Sequence, residues 1–281
     1  MAYQRAVFVE LLDLKNVDKS LFLFFCLLWT TSIFGNVVEE GVRQISLNER
    51  FCMKAFFDQA IKHNQAAHVL YFMNKPVCIT CSALKHKDKT FKDVLALRGW
   101  RAFKKHEHLF PHPNFIFSEN IFESGNDCKV LHIYVINKKS LSNCLDEHCM
   151  LFKKILGQEF SSGHFIEKLE KGRPLPSLLN DNEELLGILL GYGEESAHAF
   201  KEVRAQCTET FAPAPTDTYC RIDLNSPQGC EIFPVVFMGN PHSPEVQQLI
   251  FTYEKELEDV WEKYKQSKNP LKMVLEQLCS E

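Results

Sequence analysis

The chain has 281 residues, of which 45% are aliphatic, aromatic or cysteine, and Phe alone accounts for 23. So apolar a composition excludes intrinsic disorder and suffices for one large domain with a substantial core. The formal net charge is −4, and Lys and Arg are scattered among acids instead of forming one basic stripe, so nucleic acid is not expected as a partner.

No residue from Ser20 to Val38 is charged, and Leu21 to Trp29 is apolar without interruption. Lys15 and Lys19 precede this run, and Glu39 and Glu40 follow it. Positive charge before a short apolar run, with small residues after it, is the pattern of a signal peptide. The same run is long enough to span a bilayer as an uncleaved anchor. Residues 1–35 therefore read as a leader that meets the membrane through Leu21 to Gly35, and 36–281 as one domain in the cell envelope or secreted. Glu10, Asp13 and Asp18 make the leader less basic than usual. A buried core helix in a cytoplasmic chain is the alternative.

In the domain, Ser46 and Glu49 form a capping box ahead of a helix running to about His63. Val69 to Met73 and Pro76 to Thr80 read as short extended segments. Lys87 to Lys105 is expected to be helical, with Phe91, Val94, Leu95, Trp100 and Phe103 toward the core and Gly99 weakening it. Pro111 to Phe117 turns the chain into another strand. Lys129 to Asn137 is apolar on both alternating faces, which predicts a central strand covered on two sides. A helix from Ser140 to Leu156 should stop at Gly157.

Farther on, Asn182 to Leu190 and Glu194 to Cys207 read as helices separated by Gly191-Tyr192-Gly193. TYCRIDL (218–224) and EIFPVVFMG (231–239) are strand-like pieces in a proline-rich stretch. Ser243 and Pro244 open a long helix whose apolar residues, from Val246 to Tyr264, recur every three or four positions. A short helix after Pro270 closes the chain. Together these elements predict an α/β or α+β fold, a mixed sheet covered by helices, ending in a long amphipathic helix.

Three groups of residues could carry chemistry. Cys78 and Cys81 are spaced as a thiol pair, but they fall on a strand and not at the helix N-terminus that would lower a thiol pKa. Cys144 and His148 share a helix face, and His106, His108 and His112 lie in one loop. Zinc would need ligands from both groups, and nothing in the sequence brings them together. Gly187, Gly191 and Gly193 lack the preceding strand and following Gly-Lys-Ser/Thr of a phosphate loop. Gly191-Tyr192-Gly193 is instead a candidate partner surface. Eleven cysteines, ten without Cys26, permit disulfides in an exported chain but do not fix their pairing.

Asn182 to Phe200 (NEELLGILLGYGEESAHAF) and Phe110 to Phe117 (FPHPNFIF) resemble an uncharacterised family of exported proteins of chlamydia-type bacteria, over roughly Cys52 to Tyr264. The resemblance implies a bacterial envelope setting and brings no known activity, cofactor or catalytic residues. The expected function is non-catalytic binding of a protein or small ligand. A thiol- or metal-dependent hydrolase is the alternative, and a cytoplasmic structural protein the third reading.

Overall fold

The computed structural model describes residues 37–85, 90–124, 128–206, 220–267 and 269–280. The uncharged run through residue 36 and Cys207 lie outside them. Among the described residues no helix is long and apolar enough to cross a membrane.

Helix α1 (37–44) leads into α2 (Leu47–Asn64), whose N-cap Ser46 accepts the Glu49 N–H and whose hydroxyl donates to the Glu49 carboxylate at 2.8 Å. Gln65, in the left-handed conformation with φ 63°, ends α2 and restarts the chain as α3 (Ala66–Tyr71). The extended segment expected from Val69 is therefore helical at its start. Ala66 and Ala67 favour helix, and burial of Ala66 to Leu70 overrides the β-preference of Val69 and Tyr71.

Strand β1 (Val77–Lys85) follows, then α4 (Phe91–His106), opened by a reciprocal capping box between Thr90 and Asp93. Helix α4 buries Ala96, Trp100 and Phe103, leaving Phe91 72% exposed on the far side of the helix. That corrects the expectation that Phe91 packs in the core. A 3-10 turn (Glu107–Leu109) leads to β2 (Phe115–Ser124) and β3 (Cys128–Asn137).

β1, β3 and β2 form one sheet in that order, antiparallel throughout, with Ile79 and Ser118 flanking Tyr134 of the central strand. The mixed sheet expected from the sequence is thus the α+β form, because β2 returns directly into β3 as its antiparallel neighbour. The central strand is covered on both sides. Val77, Ile116, Tyr134 and Ile136 pack on Leu141, Phe165, Leu175 and Ile188. The opposite face, with Phe115, Leu131 and Ile133, packs on Phe57, Trp100 and Phe103.

The first of these layers consists of short helices: α5 (Lys138–Glu147), α6 (Cys149–Leu156), α7 (Ser162–Glu170), α8 (Leu175–Leu178) and α9 (Glu183–Leu189). The single helix expected over 140–156 breaks at His148, which has φ −97° and ψ 20°. Re-aimed by this break, Phe152 reaches the core beside Phe160 and Phe165. Gly157, at φ 109°, ends α6.

Helix α10 (Glu194–Gln206) precedes a hairpin of β4 (Cys220–Asp223) and β5 (Val236–Gly239). The long helix α11 (Pro244–Gln266) and α12 (Pro270–Cys279) complete the chain. Helix α11 joins two cores. Val246 and Tyr253 pack with Ile222 and Phe237 of the hairpin, while Leu257, Val260 and Trp261 join the core of α2 and α4.

Candidate functional site

The sequence candidates are dispersed. Cys78 and Cys81 stand three apart on β1, so they point to opposite faces of the sheet and are both free. Burial pushes the Cys78 thiol up to about 12 and raises that of Cys81. Cys144, with Sγ 3.9 Å from the Ile188 carbonyl oxygen, is likewise pushed up to about 12 by burial. A thiol held protonated is neither a nucleophile nor a metal ligand.

His148 lies 3.2 Å from Glu194. His106 sits 3.4 Å from Glu49, and His112 bridges Glu107 and the Phe115 carbonyl, each at 3.0 Å; His108 is exposed. His106 ends α4 instead of lying in a loop, and His112 packs on Phe103 and Phe117 in the α2–α4 layer, whereas Cys144 belongs to the layer on the other face of the sheet, so the sheet separates these groups. Among the described residues no three His, Cys, Asp or Glu side chains come together as a metal site.

Gly191-Tyr192-Gly193 becomes part of an internal junction. Gly191 (φ 77°) is so close to α11 that a Cβ would stand 2.3 Å from the Tyr253 hydroxyl, which donates to the Gly191 carbonyl at 2.6 Å. Gly193 (φ 78°) leaves room for Glu245, whose carboxylate accepts the Glu194 N–H at 2.9 Å. The Tyr192 ring stacks on Phe237 at 5.9 Å instead of standing out as a partner surface.

The Tyr192 ring also meets a residue that the sequence did not single out. Lys75, between α3 and β1, is 0% exposed. Its ammonium donates to the Leu190 carbonyl and lies 4.8 Å from the centre of the Tyr192 ring and 5.9 Å from that of Tyr253. Two ring faces and one carbonyl replace bulk water only in part, so burial lowers the Lys75 pKa to about 8.

Next to it, Glu256 of α11 accepts from Asn74 Nδ2 at 2.6 Å and lies 2.8 Å from His68 Nδ1. His68 is fully buried, and desolvation lowers its pKa. The neutral ring places its proton on Nδ1 and donates it to Glu256, leaving Nε2 an acceptor with no partner among the described residues. Four elements thus converge on one enclosed polar junction. No sequence pattern marks it, because Lys75 in Asn-Lys-Pro is indistinguishable from a solvated turn lysine.

An open cleft of about 320 Å³ lies elsewhere, between α2 and α4. Asn48, Glu49 and Cys52 line one wall, and Arg98, Arg101 and Lys105 the other. Lys105 pairs with Glu49 at 2.8 Å.

No family model matches this chain, and comparison with curated proteins and with solved structures likewise gives no match.

Proposed function

We propose that the chain is a non-catalytic binding protein, held at the envelope by its uncharged N-terminal run as an export signal or anchor. The observation that carries this reading is the sequestration of the candidate thiols Cys78 and Cys144 and of Lys75. Cys78 and Cys144 are thiols raised to about 12, and Lys75 is wholly enclosed. The open cleft between α2 and α4, by contrast, offers cations and an amide, and its one thiol, Cys52, is buried, an equipment for holding a ligand. Exported location is supported by the run 20–38 with Lys before it and Glu after it.

The test is to assay the purified full-length chain against esterase, peptidase, phosphatase and glycosidase substrates, and to fractionate its native host. Absence of any turnover that a point substitution abolishes, with the protein in the envelope or medium, is the expected result. Turnover lost on Cys144→Ala or Cys78→Ala would overturn it in favour of a thiol hydrolase. Recovery of the whole chain in the cytoplasm would overturn the envelope setting.

A further inference from the structure

We propose that the outer face of α2 and α4 docks on an anionic lipid bilayer. Two observations meet there. Arg98 and Arg101 of α4 are exposed and have no ion-pair partner among the described residues, and with Lys105 they recur at helical spacing along the cleft. Leu47 and Phe51, one turn apart on α2, are 77% and 59% exposed beside the opposite wall of that cleft. Glu49, the one carboxylate lining the cleft, is already engaged by Lys105 and the Ser46 hydroxyl, each at 2.8 Å, so it does not neutralise the arginines.

Apolar side chains beside a row of cations are the pattern of a helix surface lying in a headgroup layer, with the apolar groups dipping below the phosphates. A protein partner fits less well. A stable protein interface buries roughly 800 Å² on each side, well beyond what two apolar side chains and their cationic border provide. Location points the same way, and here the inference rests on the membrane reading proposed above. Helix α1 spans eight residues, 37–44, or about 12 Å, so the uncharged run ends close to Leu47. A chain held by that run would keep this face close to the membrane surface.

The experiment uses the full-length chain with Trp29→Phe and Phe51→Trp, so that the reporter lies on this face and not in the N-terminal run, mixed with vesicles of phosphatidylcholine alone or with phosphatidylglycerol, and reads the emission shift and quenching by brominated lipid. The expected result is a blue shift and quenching that require phosphatidylglycerol and disappear at high salt. With Arg98→Gln and Arg101→Gln added, the apparent docking constant should fall about 25-fold, at roughly five-fold per cation. Unchanged thermal unfolding of the variants confirms the fold.

Emission that ignores phosphatidylglycerol, or docking that survives loss of both arginines, overturns the proposal. If the chain associates with both vesicle types while the emission of the Phe51→Trp variant stays fixed, only the N-terminal run binds and this face does not. If docking requires phosphatidylglycerol and both arginines but association with neutral vesicles is absent, this face stands and the anchor form of the membrane reading falls. Arginine-dependent binding of an acidic peptide without any response to vesicles would assign the face to a protein partner instead.

Discussion

Gly99 of α4 faces the backbone of α2 so closely that a Cβ there would stand 2.0 Å from the Cys52 carbonyl oxygen and 2.8 Å from the Phe56 Cβ. The glycine that weakens the helix on propensity is therefore what lets the two helices approach.

Gly99→Ala should be destabilising although alanine favours helix by about 1 kcal/mol. The obstacle is backbone, which cannot swing aside like a side chain, so α2 and α4 must separate, at a net cost of about 1–3 kcal/mol. Gly163→Ala in α7, where nothing lies within 4 Å, is the control. It should be neutral or raise stability by a few tenths to about 1 kcal/mol. Urea unfolding midpoints check both, and an unshifted Gly99→Ala midpoint would refute the close approach.

The contact of Tyr253 with Gly191 should show strong non-additivity. Tyr253→Phe removes the 2.6 Å bond to the Gly191 carbonyl and should cost about 1–3 kcal/mol. Gly191→Ala costs more, since it adds a left-handed alanine and a clash with that hydroxyl. The double variant should be less destabilised than the sum of the two, because deleting the hydroxyl makes space for the methyl group. A double-mutant cycle from denaturation curves measures the difference; strict additivity would mean the two groups do not touch.

Lys75 makes stability depend on pH with a defined sign. Its ammonium titrates at about 8 in the folded chain, against 10.5 ordinarily. Below pH 8 both states hold the proton, and the cost of burying the charge is fully present. Between pH 8 and 10.5 the unfolded chain binds the proton that the folded chain releases, so this contribution to stability rises with pH. Cys78 and Cys144 oppose it, since thiols raised from 9.0 to about 12 make stability fall above pH 9. Comparison with Lys75→Met isolates the lysine. The wild type should gain on that variant by about 3 kcal/mol between pH 8 and 10.5, and a pH-independent difference would show that Lys75 is not buried as an ammonium.

Thiol alkylation separates the cysteines. With a pKa of about 12, Cys78 and Cys144 are ionised to only about one part in ten thousand at pH 8. They should remain unmodified in the native chain and react fully in denaturant. Peptide mapping by mass spectrometry reads this directly, and rapid native labelling of Cys144 would revive a nucleophilic role for it.

The elements with the longest periodic patterns were the most legible. Strand β3, apolar on both faces, and α11, with its stripe from Val246 to Tyr264, stand where the sequence predicts them. Helix α3 was not legible, because six residues are too few for periodicity to outweigh the β-preference of Val69 and Tyr71. Helices α7 and α8, of nine and four residues, gave no signal. In the site, the Gly191-Tyr192-Gly193 break is visible in sequence but its direction is not. Whether Tyr192 faces outward or over Lys75 is decided by residues far along the chain. The same holds for Arg98 and Arg101, whose alignment with Leu47 and Phe51 depends on how α2 crosses α4.

The polar junction also sets an order of events during synthesis. His68 precedes its partner Glu256 by 188 residues and Lys75 precedes Leu190 by 115. At about 5–20 residues per second, Glu256 leaves the ribosome roughly 10–40 s after His68. Through that interval the sheet and α2–α4 can assemble, but the pocket that encloses Lys75 and His68 lacks its α11 wall and is open to water. The charge can therefore stay hydrated until α11 docks, and burial of Lys75 waits on the arrival of that helix.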